Sequence, residues 1–325
     1  HRVDRRQRQM CIRDRRKSLG ASVIVASALS AISLPAVAVD WSAAKSADIA
    51  IFYPGETSLE WMYSKRSHNG AARYKKRTET CIGCHKGDEA SYGPLIVKGK
   101  DTESSPLGGR RGHTVVKAQA ANDGTNLHIR LEWPKTSDPA AEKQDADFDT
   151  KVTIMLEDGT IEEFTAGGCW AMCHIDAKKM PADGDVQKYI TDSRASMSKK
   201  DGGGPILGDA EIYSLVAAGT FIEYWQARLN PGQPAKALHG YVLKDRFEQP
   251  TPAISVNSTE AGDNWVVEFS RPMAGGVGMK TLQAGKTYNF GVALHDQNTS
   301  GRYHLTSFQY TLTIDGGEGD LVANK

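Results

Sequence analysis

Two short stretches carry most of the chemistry available to this chain. The first, "CIGCH", places Cys81 and Cys84 immediately before His85. In a Cys-x-x-Cys-His run the sulfurs stand about one helical turn apart, which suits addition to the two vinyl groups of a haem while the adjacent imidazole reaches the iron. A redox dithiol is the competing reading, but such pairs follow a strand in a βαβ unit, and the surrounding sequence has none. The second stretch, "GGCWAMCHID", keeps the order thiol, thiol, histidine in Cys169, Cys173 and His174, with one extra residue between the cysteines. Three readings stay open for it. One is a second covalent haem whose inter-cysteine loop absorbs the extra residue. Another is a zinc site shared with Cys81 and Cys84, and the last is a disulfide. The haem reading accounts for both histidines, which the other two leave as coincidences.

These groups need walls and further ligands. His85 and His174 are the expected proximal iron ligands. His68, in "SHNGA" ahead of the first motif, is the expected distal partner of the first haem, with His113 as substitute. Met180, six residues past His174, is a thioether candidate at the second, and His295, beside Asp296, is a further alternative. Arg271 and Arg302 are candidate propionate contacts, because a guanidinium matches a carboxylate in a bidentate fork. His128 reads as a strand-face residue and His239 as part of a Pro/Gly-rich loop. No G-x-S-x-G elbow supports a hydrolase.

The elements that must position these residues divide along the 325-residue chain. Residues 1–38 read as an export signal: a basic "RDRRK", an uncharged run, and an A-x-A site ending at Ala38, with Met10 a candidate start. Cleavage after about Ala38 would place the protein in the periplasm with no stable membrane insertion. Residues 39–114 form an N-terminal segment with little alternation, expected to wrap a haem around one helix within "SLEWMYSKRSHNGAARYKKR". From 115 to 315 the texture changes to short alternating runs ("VVKAQA", "LHIRLEW", "KVTIML", "NWVVEFSRP", "KTYNFGVALHD", "SFQYTLTID") punctuated by turn residues. This spacing predicts a mainly β fold, an antiparallel β-sandwich with helical and loop insertions. Residues 169–262 read as an insertion with helical pieces, notably "GTFIEYWQARL", and 316–325 as a flexible tail.

Residues 1–38 hold eight Lys/Arg and two Asp/Glu; the other 287 positions hold 32 basic and 37 acidic side chains, a net of −5. That balance argues against nucleic acid and fits an electropositive docking partner.

The stretches "FYPGETSLEW", "CIGCH", "GCWAMCHIDAKKMP", "YNFGVALHD" and "GRYHLTSFQYTLTI" together resemble the exported c-type cytochromes with an ethylbenzene-dehydrogenase-type haem-binding domain. That domain is related to the haem subunit of type II DMSO-reductase-family molybdenum enzymes. The resemblance covers about Phe52 to Ile314 and implies a β-sandwich haem pocket with an electron-transfer role. In the molybdenum-enzyme subunits the haem is non-covalent, held by Met and Lys. This sequence has covalent motifs instead, and His304 at the place matching the lysine, which makes His304 the expected distal ligand of the second haem. The sequence thus points to a dihaem electron carrier. Its partners would be a membrane quinol-oxidising cytochrome or a periplasmic oxidoreductase. A peroxidase, an oxyanion reductase or a haem-based sensor is the alternative if one iron has an open position.

Overall fold

The computed structural model describes residues 39–56, 59–100, 103–106, 108–136, 141–172, 190–196 and 204–325. Strand β1 (Ser46–Phe52) comes first, then four short helices: α1 (Leu59–Tyr63), α2 (Ala71–Lys76), α3 (Cys81–His85) and α4 (Glu89–Ile96). Strands β2 (His113–Asn122), β3 (Asn126–Pro134) and β4 (Thr150–Glu157) follow, then helices α5 (Glu162–Met172) and α6 (Asp209–Ala217). The chain closes with β5 (Ile222–Leu229), β6 (Lys236–Val242), β7 (Arg246–Glu248), β8 (Ser255–Ala261), β9 (Asn264–Pro272), β10 (Thr287–His295), β11 (Leu305–Thr306), β12 (Tyr310–Ile314) and β13 (Leu321–Ala323).

The strands join in the order β7-β6-β5-β4-β10-β11-β1-β2-β3-β9-β8, with β12 and β13 branching from β10. All named pairs are antiparallel except β12 with β13. The two arms face each other across one apolar core. Ile49, Ile51, Val116, Ile129 and Phe269 come from one arm, and Ile154, Trp225, Phe290 and Val292 from the other. This is the expected β-sandwich. On β2 and β3 burial alternates along the strand, as it must when only one face meets the core. On β4 and β5 nearly every residue is buried. Helix α5 and a second apolar cluster containing Phe164, Trp170 and Phe308 lie on that side of the molecule.

Several expectations change. "FIEYWQARL" is not helical: it forms β5, paired with β4 and β6, and burial of both faces removes the strict alternation that would have marked it as a strand. Residues 222–261 therefore belong to the main sheet and are no insertion. His239 lies on β6, buried, where its Nδ1 accepts from the Ala253 N–H at 3.0 Å. The region around His68 holds two short helices, α1 and α2, in place of one. The last ten residues do not fray, because β13 pairs with β12 and buries Leu321 and Ala323. Strand β1, within the segment of little alternation, pairs over seven residues with β2.

Candidate haem sites

Helix α3 is the first motif itself. Thr80 caps it, its hydroxyl accepting from the Gly83 N–H at 3.2 Å. The helical turn puts Cys81, Cys84 and His85 on the wall of a cavity of about 480 Å³, where they meet His68, Trp61 and Phe308. That volume lies within the ~300–1,000 Å³ of cofactor sites. The two imidazoles are held in matching ways. His68 Nδ1 lies 3.0 Å from the Met62 carbonyl, and His85 Nδ1 lies 3.1 Å from Asp88 Oδ2. Each Nδ1 is therefore the anchored nitrogen, and among the described residues no hydrogen bond uses either Nε2. The indole of Trp61 stacks on His68 at 5.0 Å and 15°.

The ring centroids of His68 and His85 are 6.3 Å apart. Metal–imidazole bonds of about 2.0–2.1 Å, plus roughly 1.1 Å from nitrogen to ring centre, separate two trans imidazoles by roughly 6.2–6.4 Å. The rings lie 28° from parallel, and with both Nε2 atoms turned toward one iron that separation would suit it. Glycines leave room beside these groups: a Cβ on Gly70 would stand 2.8 Å from His68 Nε2, and one on Gly167 would stand 3.1 Å from Cys81 Sγ. The residues present therefore fit a haem. Burial pushes the Cys81 thiol up to about 12 despite nearby Arg77, whereas Cys84 is exposed.

Helix α5 links this cavity to another. At Gly168 it breaks, with φ +59° and ψ −147°, a conformation open to glycine almost alone. A side chain there would strike the Phe308 and Gln309 backbone at 2.4–2.6 Å. Beyond the break the Trp170 N–H donates to the Ser307 carbonyl at 3.0 Å. Consecutive residues then serve different spaces. Trp170 lines the first cavity, and Cys169 lines a second of about 700 Å³ that also holds His295, His304, Arg302, Lys151 and Arg246. His304 and His295 stack at 4.4 Å and 26°, and both ring systems reach the Gly301 carbonyl at 3.0 Å. Burial, then the charges of His304 and Lys151, holds His295 well below the usual histidine range.

The structure thus brings Cys81, Cys84, His85 and His68 together at one cavity, and Cys169, His304 and His295 at the other. Cys173, His174 and Met180 lie outside the described residues. His113 opens β2 and lines neither cavity. Arg271 also lines neither: its guanidinium is wholly buried, donating to Glu223 from Nε at 3.1 Å and from Nη2 at 2.5 Å. Arg302 does line the second cavity, but it is already bonded to Glu103 and lies 3.3 Å from Glu56. The sequence reading missed Asp88, which anchors His85 from three positions on. It also missed Phe308, whose ring sits 6.1 Å from His85 and 5.7 Å from Trp170. The Gly-Gly pair before Cys169 was the available signal for the kink. Among the described residues no three His, Cys, Asp or Glu side chains converge as metal ligands; Cys173, the fourth thiol of the shared zinc reading, lies outside them.

A thiol pair on one helical turn beside two anchored imidazoles is the kind of arrangement that proteins holding haem through thioether bonds use. The chain is 38% identical over 296 residues to cytochrome c-552 of Stutzerimonas stutzeri, covering 90% of this chain and 93% of that protein. It is 30% identical over 293 residues to cytochrome c-551 of Rhodocyclus tenuis, covering 89% and 100%. The chain belongs to their family, the c-type cytochromes, and membership implies covalently bound haem iron, electron transfer and redox partners. No protein-family profile matches. Among solved structures, a carbohydrate binding module family 9 protein from Caldicellulosiruptor kristjanssonii in complex with glucose is 10% identical with a TM-score of 0.27. The match covers 60% of this chain and 66% of that one, too slight a likeness to bear on fold or function. No helix among the described residues is long and apolar enough to cross a membrane.

Proposed function

We propose that this chain is a periplasmic dihaem cytochrome that relays electrons in a respiratory chain through an ethylbenzene-dehydrogenase-type haem-binding sandwich. One haem is attached at Cys81 and Cys84 with His85 and His68 as axial ligands. The other is attached at Cys169 and Cys173 with His174 and His304. The observation that carries the reading is the His68–His85 pair, Nδ1-anchored and 6.3 Å apart between centroids beside both thiols. Haem supplies one-electron cycling of iron between ferric and ferrous states.

The chain's own residues set the conditions for that cycling. Met62 and Asp88 fix the imidazole orientations. Phe52, Trp170 and Phe308 exclude water from one side of the first cavity. The placement of Cys169 and Trp170 on opposite sides of α5 supports close approach of the two centres. Two imidazoles at the first site favour a saturated iron and hence a carrier over an enzyme. Intact mass of the protein from a haem-competent host tests the reading. Two haem equivalents are expected, and Cys169→Ala/Cys173→Ala should remove one. An unchanged mass in that variant removes the second haem from the proposal.

A further inference from the structure

The two candidate distal histidines are held in the same manner. At the first cavity His68 Nδ1 faces the Met62 carbonyl and Trp61 covers the ring. At the second, His304 Nδ1 lies 3.0 Å from the Gly301 carbonyl, and the ring lying over it is His295, at 4.4 Å and 26°. The register of the sheet produces this stack. Strand β10 ends at His295, and its Leu294 pairs with Leu305 of β11. One step further along the two chains, His295 therefore stands opposite His304.

His295 does more than cover its neighbour. Its Nε2 lies 3.0 Å from the same Gly301 carbonyl, which accepts from both rings through its two lone pairs. That bond puts the His295 proton on Nε2. Its Nδ1 is then the bare nitrogen, and it is shielded from solvent and hydrogen-bonded to nothing among the described residues. Burial first, then the charges of His304, Lys151 and Arg246, keep this ring neutral. A carbonyl that serves two donors polarises each of them less than it would a single one. The hydrogen bond at one nitrogen of a ligating imidazole governs how strongly the other nitrogen donates to the metal. We propose that His295 is a positioning residue for His304: by stacking on that ring and sharing its Gly301 acceptor, it fixes the imidazole plane and moderates donation to iron. This role rests on a haem at Cys169 and Cys173 with His304 as an axial ligand, and it assigns a group that tunes the potential of that centre.

The test uses holoprotein carrying His295→Phe or His295→Ala, with low-temperature EPR of the ferric haems and an optical redox titration. Phenylalanine keeps a flat ring on His304 and removes the competing donor. The Gly301 carbonyl then serves His304 alone, His304 donates more strongly, and ferric iron gains over ferrous. The midpoint potential of one haem should fall, that of the other should hold, and both EPR signals should keep the parent g values. Alanine also removes the stack, so the signal of that same haem should broaden or move as the imidazole plane loosens. Potentials in the Phe variant that match the parent's or rise, or an Ala variant with both parent signals intact, would overturn the role. His304→Ala, read by the ferric spin state, keeps the two levels apart. Low-spin iron at both haems in that variant removes His304 from the functional reading. One high-spin haem there, with parent-like His295 variants, sinks only the role of His295.

Discussion

Replacing Gly70 with alanine should separate iron ligation from folding at the first cavity. Gly70 lies just before α2 with φ −71° and ψ −8°, a right-handed helical conformation that alanine adopts without strain. The unfolded chain loses some freedom, which favours the folded state by about 0.4–1 kcal/mol and offsets part of the cost of any side-chain clash. The new methyl group, however, would stand 2.8 Å from His68 Nε2 and 3.0 Å from Cε1, where ordinary contact begins at 3.4 Å. The ring must therefore retreat by about 0.6 Å, the difference between 3.4 and 2.8 Å. It cannot retreat freely, being held by the Met62 carbonyl and the Trp61 indole. Metal–ligand distances tolerate departures of about 0.2 Å, so the displacement exceeds what the bond can absorb. Visible absorption should show one haem turning high-spin in the ferric state and binding carbon monoxide when reduced. Chemical denaturation should show a stability within about 1 kcal/mol of the parent. A fully low-spin spectrum with no carbon monoxide binding would refute His68 as the distal ligand.

Other perturbations address the frame around the sites. Glu223 is fully buried and accepts from Arg271, from the Lys280 N–H at 2.6 Å and from Trp225 Nε1 at 2.6 Å. Glu223→Ala leaves a buried guanidinium unpaired and should cost about 3–5 kcal/mol in urea unfolding; a loss under 1 kcal/mol contradicts the pairing. Burial alone would raise the Glu103 carboxyl, but hydrogen bonds from Arg302, Tyr53 and the Ser105 N–H outweigh it and hold the group below its usual value. Its stabilisation is therefore complete above the unfolded value of ~4.3 and fades as pH falls through the lower folded value. The stability gap between wild type and Glu103→Gln, measured at pH 7, should close on acidification below about pH 4; a gap that widens there has the wrong sign. In the haem-free chain, a Cys81 thiol at about 12 leaves ~1 in 10⁴ as thiolate at pH 8. Peptide mapping after brief iodoacetamide treatment should find Cys84 modified well before Cys81, and the reverse order would place Cys81 in solvent.

The strands that alternate were legible because one face meets the core and the other meets water. "VVKAQA" and "LHIRLEW" became β2 and β3 for that reason. "FIEYWQARL" failed the same test, since β5 is covered on both sides and its burial erases the period of two. The first haem motif was legible from local chemistry, being a single helical turn. His68 was reachable by proximity in sequence, and the resemblance placed His304 at the second cavity. Arg271 was misjudged because its partner Glu223 lies 48 positions away, and a buried ion pair leaves no local trace. Phe308 was missed for a similar reason: nothing near it in sequence marks it as cavity lining.

Phe308 closes the first cavity from 227 positions beyond Cys81, the difference between their numbers. Contacts between residues so far apart carry a loop-closure cost that neighbours along the chain do not. Among the residues that line this chamber, Phe308 is also the last in the sequence, so its wall cannot exist until nearly the whole chain has been made.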